Sequence, residues 1–345
     1  MFSNKYVPAL AAALALAAAT VALTSDRNDA TAAAPMLLSG APTPIASLPF
    51  TAGVPGAYCL TGNLYAAPGS GGIVVTASSV TIDLGGFQLG GANEDFAAIN
   101  ASDNSGLVVK NGTIFNWGGD GIRCGDAATI TDVRVLDCDG HGIDAGDRSH
   151  VERVDTRDNG SLEILVGKHS LVRQCSVEDL NGRGTAVSVD DCSIVENVRV
   201  LGGFPSVGTG DGCRVVNCCS SESFFAGFAL GTNSSIEGCN VLGGGGDGIR
   251  LLDGCVARDN VCSGLATEGI SVNGDNCVVD GNVLNGNGTG LRVTGIHNLI
   301  VGNRAVDSTL VDFVIPFPNT YGPILADFAA IGSNTPHANF GTPLL

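Results

Sequence analysis

Positive charge and aromatic rings are both scarce in this chain. Its 345 residues carry 17 Lys+Arg against 34 Asp+Glu, a formal net charge of −17. A chain this acidic repels phosphate backbones, and no basic stripe runs against that background, so nucleic acid is not expected as a partner. Anionic polysaccharides are repelled too, unless a local basic cluster or a bridging cation intervenes, whereas neutral glycans meet no such objection. Aromatic residues make up only 5%, with a single Trp. The core must therefore be filled by Val, Ile, Leu, Ala and Cys, which suits a narrow interior. Beyond the first 34 residues no apolar run is long enough to cross a bilayer.

Met1 to about Ala34 reads as a secretory signal peptide. Lys5 supplies a short positive region, Val7 to Leu23 is an Ala/Leu-rich run, and Thr20-Val21-Ala22 or Ala30-Thr31-Ala32 offers a cleavage site. The rival reading is an uncleaved anchor, for which some 17 Ala-dominated residues are short and weakly apolar. Residues 35–49, with Pro42 and Pro44, read as a linker. Export places the mature protein in the secreted, periplasmic or cell-surface compartment, with no stable membrane span after cleavage.

From Thr129 onward the chain repeats. Broken after Ser149, Ser170, Ser193, Cys213, Ser234, Cys255, Cys277 and Asn298, it falls into eight lines of 20 to 23 residues. Each line has short apolar-polar alternation, a Gly/Asn/Asp turn, and a second strand such as His141-Gly142-Ile143-Asp144 or Asp247-Gly248-Ile249-Arg250. Period-2 alternation marks strands with one buried face. Strands this short cannot stand as separate hairpins, and no helical pattern divides them. Coils of about 21 residues stacked in register solve both problems. The expected fold is thus all-β: one right-handed parallel β-helix of about 10–12 coils over residues 50–313, with an N-terminal cap at about Ser47 to Gly72 and a capping tail over 314–345.

The fifth position of each line tests that register. It reads Val133, Val154, Cys175, Val198, Cys218, Cys239, Asn260, Asn282 and then Asn303. Three successive asparagines at one repeat position imply an interior ladder in which each amide bonds the next, because a buried amide is costly unless paired.

Three segments resemble the opening of secreted bacterial β-helix proteins of the pectin-lyase-like superfamily. They are Pro55-Gly56-Ala57-Tyr58-Cys59-Leu60-Thr61-Gly62-Asn63-Leu64, Val80-Thr81-Ile82-Asp83-Leu84-Gly85-Gly86-Phe87, and Val109-Lys110-Asn111-Gly112-Thr113-Ile114. The resemblance runs from about residue 50 to the end and implies the right-handed parallel fold. It implies little about activity, since the superfamily includes lyases, hydrolases, epimerases, phage adhesins and members without a known role.

Twelve cysteines in an exported chain invite disulfides. Cys175, Cys218 and Cys239 instead fall at the inward fifth position, and Cys192, Cys213, Cys255 and Cys277 close their coils. Buried thiols acting as small apolar side chains are the preferred reading, with bridges between adjacent coils, such as Cys218 to Cys239, as the alternative. No Cys/His quartet points to zinc.

The resemblance implies that chemistry, if any, sits on the outer face, where side chains from successive coils converge. Asp120-Gly121-Ile122-Arg123 precedes His141-Gly142-Ile143-Asp144 by one coil. If Ile122 and Ile143 point inward, Asp120 and Arg123 stack beside His141 and Asp144. Arg123, His141 and Asp144 are then the candidate catalytic residues, an acid/base pair with a cationic clamp. Asp120, Asp137, Asp139 and Arg157 are candidate substrate-binding neighbours. The plainer reading is a charge ladder that stabilises the coils, since Asp247 and Arg250 repeat the same pattern far away. Gly140-His141-Gly142 and Asp190-Asp191-Cys192 resemble polygalacturonase fragments, but in reversed order, and the Asp pair aligns with a turn shared by other coils. No cofactor is expected, though calcium on clustered exterior Asp oxygens is chemically open.

Two functions follow. The first is a non-catalytic extracellular or cell-surface module presenting a rigid acidic face, with a polysaccharide or cell-surface glycan as its partner. The second is a polysaccharide lyase, epimerase or glycoside hydrolase acting on the outer face.

Overall fold

In the computed structural model, residues 41–93, 95–182, 184–326, 335 and 337–342 are described. The segment read as a signal peptide lies outside them. Among the described residues there is no helix long and apolar enough to cross a membrane.

The chain is a parallel β-solenoid in which most coils contribute three short strands, while Val108–Phe115 and Thr129–Leu136 each run through two ladders without a break. A representative coil has strands His150–Glu152, Asp155–Arg157 and Ile164–Val166, and the next has Leu171–Arg173, Ser176–Asp179 and Val187–Val189. Val151 pairs with Val172, Thr156 with Val177 and Ile164 with Val187, always parallel. Stacking gives three ladders along the axis, called here first, second and third in the order met within a coil. The third ladder holds 13 strands, from Phe50–Ala52 to Val311–Val314. The coil count therefore exceeds the expected 10–12. The extra coils are N-terminal, where strand Thr43–Ile45 already pairs with Tyr58–Leu60 inside the stretch read as linker. Those coils depart from the 21-residue spacing, so periodicity alone did not reveal them.

Inward positions alternate with outward ones, as the strand pleat requires. Val151, Ile164, Val166 and Val172 are fully buried, and Ile122 and Ile143 point inward as the sequence implies. Between first and second ladders the chain turns in two residues. The first of these has a left-handed backbone in coil after coil: Asp132, Arg153, Gln174, Asn197, Asn217, Gly238, Asp259, Gly281 and Gly302 have φ between 52° and 70°. Asn, Asp and Gly tolerate that conformation best, which explains their frequency there. The second residue is the inward fifth position. There Asn260 donates through Nδ2 to Asn282 Oδ1 at 2.9 Å, and Asn282 likewise to Asn303 at 2.9 Å.

A second staple column closes the coils. Ser149 N–H donates to Ser170 Oγ, Ser170 N–H to Ser193 Oγ, and Cys213 N–H to Ser234 Oγ, each at 3.0 Å. The column position in its coil is Ser193, not Cys192. Cys192 takes the left-handed position just before the column, as Arg148 and His169 do in their coils, and is exposed. All twelve cysteines are free thiols in the structure, and nine are buried. Burial pushes the Cys124 and Cys138 thiols up to about 12.

The tail continues the ladders. Thr320 pairs with Leu299, and Asn339–Phe340 aligns with Ile324–Leu325 and with Arg304.

Candidate functional site

Outward residues of the third ladder form one row along the axis, set by strand register. Its order is Asn100, Arg123, Asp144, Leu165, Ser188, Gly208, Ala229, Arg250, Ser271 and Arg292. Long side chains occupy both ends. In the middle, Ser188, Gly208 and Ala229 barely rise above the backbone.

At the N-terminal end of the row, the structure brings together the residues that sequence spacing selected. Arg123 Nε lies 3.4 Å from Asp144 Oδ2 and 3.9 Å from Asp120 Oδ2. Burial lifts the Asp144 carboxyl above its ordinary range; Asp120 pushes the same way, and Arg123 opposes it. Asp120 and His141 are also staples. Asp120 Oδ1 accepts the His141 amide at 2.7 Å, and His141 Nδ1 accepts the Leu162 amide at 3.1 Å. An imidazole that accepts at Nδ1 carries its proton on Nε2, so its free nitrogen donates and does not accept. Asp247 performs the same stapling toward the Glu268 amide at 3.3 Å. The repeated motif thus has a shared mechanical task.

The remaining candidates lie elsewhere. Asp137 and Asp139 are exposed in the turn before His141. Arg157 belongs to the second ladder, in register with Leu136, and its Nε sits 3.5 Å from Asp158 Oδ2. Of the seven residues, only Asp144 reaches the main concavity of the surface.

That concavity is an open trough of about 710 Å³ on the third ladder, spanning from Asp144 to Asn273. Its floor is the small-residue run of the row, with Leu165 beside it. One wall comes from the corner between second and third ladders, where Thr185, Pro205 and Phe225 line the trough; Asp190 lines the opposite side. Phe225 is held from two directions. Its ring centroid is 5.0 Å from that of Phe204, and the Arg250 guanidinium carbon lies 4.5 Å over its face. Phe204, Phe224 and Phe225 are exposed. Concave surfaces that mix apolar faces with a few polar groups are the usual form of ligand sites.

The sequence contained a signal for this trough. Reading the residue after the inward Ile, Val or Phe of each third-ladder strand gives Leu165, Ser188, Gly208 and Ala229. Four of the 13 phenylalanines (Phe204, Phe224, Phe225 and Phe228) cluster in the same coils. Charged residues drew attention instead. Among the described residues no three His, Cys, Asp or Glu side chains gather to hold a metal ion.

No protein-family model and no curated protein matches this sequence. Solved structures match in fold. The catalytic domain of a GH87 α-1,3-glucanase variant in complex with tetrasaccharides aligns with a TM-score of 0.56 at 12% identity, over 75% of this chain and 63% of that chain. This protein therefore spans less than two thirds of that structure. The A-module of a mannuronan C-5 epimerase from Azotobacter vinelandii aligns at 12% identity over 79% of this chain and 89% of that one, with a TM-score of 0.47. What this chain shares with the glucanase domain is its fold, a parallel β-solenoid. Sequence likeness this low establishes the architecture and leaves the activity open.

Proposed function

We propose that the protein is an exported polysaccharide-binding β-helix whose ligand lies along the trough, over Leu165, Ser188, Gly208 and Ala229. The observation that carries this reading is the break in the row of outward side chains. Arg123 and Asp144 stand before this run and Arg250 after it, and between them Leu165 and three small residues leave the ladder open beside an aromatic wall. At about 4.8 Å per coil, the five steps from Asp144 to Arg250 make a bed of about 24 Å. A rigid strand surface presents such a bed without ordering cost on binding. The absence of a convergent acid/base set favours a non-catalytic role: His141 is tied at Nδ1, and Arg123 is bracketed by two carboxylates.

A second reading, a glycoside hydrolase, is favoured by Asp144 and Asp190 lining one trough. Burial holds the Asp144 carboxyl toward its protonated form. Two carboxyls flanking a bound sugar are the minimum for glycoside hydrolysis. The solved glucanase of similar fold is in line with it.

One experiment separates the readings. The purified mature protein is run in affinity electrophoresis against a polysaccharide panel, and the same mixtures are assayed for new reducing ends and unsaturated products. Retardation without turnover supports the first reading. Turnover that disappears in Asp144→Asn replaces it with the second, and neither retardation nor turnover defeats both.

A further inference from the structure

We infer that the trough is selective for neutral glycan chains over uronate chains, an inference that rests on the polysaccharide-binding reading above. Recognition of a uronate requires a cation free to meet its carboxylate. Among the described residues, each cation near the trough is already engaged. Arg250 Nε lies 3.4 Å from Asp247 Oδ2 while its face covers Phe225. Lys168 Nζ lies 2.8 Å from Asp191 Oδ2. Arg292 Nε lies 2.6 Å from Glu268 Oε1, and Arg123 has Asp120 and Asp144 on either side.

The rim adds charge of the opposite sign to what a uronate needs. Along the turn after the third ladder, Asp147, Asp191, Asp211 and Asp253 each use Oδ1 to accept an amide of the next coil, at 2.7–2.9 Å. Asp191 is held below the usual carboxylate range, chiefly by its bond from Lys168. The staples that fix the coils therefore also set a column of carboxylates in the turn that carries the trough residues Gly167, Asp190 and Gly210. A polyuronate laid there meets repulsion at coil after coil.

A neutral chain meets complementary chemistry. Its hydroxyls find acceptors and donors at Ser188, Thr209, Asp190 and Asn273 along the trough. The apolar face of a sugar ring finds the exposed Phe204–Phe225 pair, whose planes are tilted by 33° into a shelf. Arg250 is a positioning residue, since its guanidinium packs over the Phe225 ring.

The test is isothermal titration calorimetry with neutral gluco-oligosaccharides of α-1,3, β-1,3 and β-1,4 linkage, and with oligogalacturonate and oligomannuronate of equal length. At least one neutral series should bind, with affinity changing less than about two-fold between low and high salt, and the uronates should not bind at low salt. Phe225→Ala should weaken neutral binding roughly ten-fold. Ala229→Trp, which fills the floor from an outward position, should abolish it with unchanged circular dichroism. Asp190→Lys should introduce measurable oligogalacturonate binding. Uronates binding as tightly as neutral chains would overturn the selectivity and leave the polysaccharide reading intact. Binding of neither class, or neutral binding indifferent to Ala229→Trp, would remove the trough reading itself.

Discussion

Asn303 donates through Nδ2 to Asn339 Oδ1 at 3.2 Å, although 36 residues separate the two along the chain. The same oxygen accepts the Asn303 backbone amide at 3.0 Å. Asn339 is thus a further rung of the ladder begun at Asn260, supplied by the tail after it has left the repeat. The tail finishes the amide column and satisfies a backbone group that the last coil would otherwise leave unpaired.

This column makes a stability prediction. Asn282→Ala removes the acceptor for both N–H groups of Asn260, in a fully buried site. Stranded donors of this kind cost about 1–3 kcal/mol each, so an overall loss of roughly 2–4 kcal/mol is expected. Asn282→Cys should cost less, because Cys239 Sγ accepts the Cys218 amide at the equivalent position. Urea midpoints at constant slope measure both, and an Ala variant within about 0.5 kcal/mol of wild type would refute the ladder's role.

Glu163 should make stability depend on pH. Its carboxylate is fully buried, accepts the Asn159 backbone and side-chain N–H groups, and burial raises it from 4.5 to about 7. The folded state therefore binds this proton more tightly than the unfolded chain. The associated stability is complete below pH 4.5 and is lost as pH rises through 7, by at most about 3 kcal/mol. The stability of wild type relative to Glu163→Gln should fall over that window. Parallel profiles for the two proteins would show that Glu163 does not titrate there.

Thiol reactivity reports the coil register. Cys192 should react first with an aromatic disulfide reagent in the native state, followed by the half-buried Cys59 and Cys219. The nine buried thiols should react only on unfolding, since the packed coils keep the reagent from reaching them. Rapid native labelling of Cys213 or Cys255 would contradict the interior column.

His141 offers a separation of stability from function. His141→Ala deletes the acceptor for the Leu162 amide and should cost about 1 kcal/mol, while glycan binding in the trough stays within two-fold. His141→Asn, which can still accept, should recover most of the loss. Turnover abolished in both His141→Ala and Arg123→Ala would instead establish catalysis at the N-terminal end of the row.

The pairing of Arg123 with Asp144 was legible because both follow an inward isoleucine one repeat apart. The trough was not legible in the same way. Glycine, serine and alanine carry no chemistry that draws attention in a sequence, and their effect is a lack of height relative to neighbours. Asn339 escaped as well, because it lies 36 residues after Asn303, off the period on which the other rungs were found.

The sequence alone determined the repeat, its inward positions and its acidic surface, because the strand pleat and the left-handed corner impose a fixed order on residue types within each coil. Tertiary structure decided where the surface is concave, which carboxylates neutralise which cations, and how the tail completes the ladder. Those properties arise between coils, from the relative size and reach of residues some 21 positions apart. They become definite only when the coils are stacked.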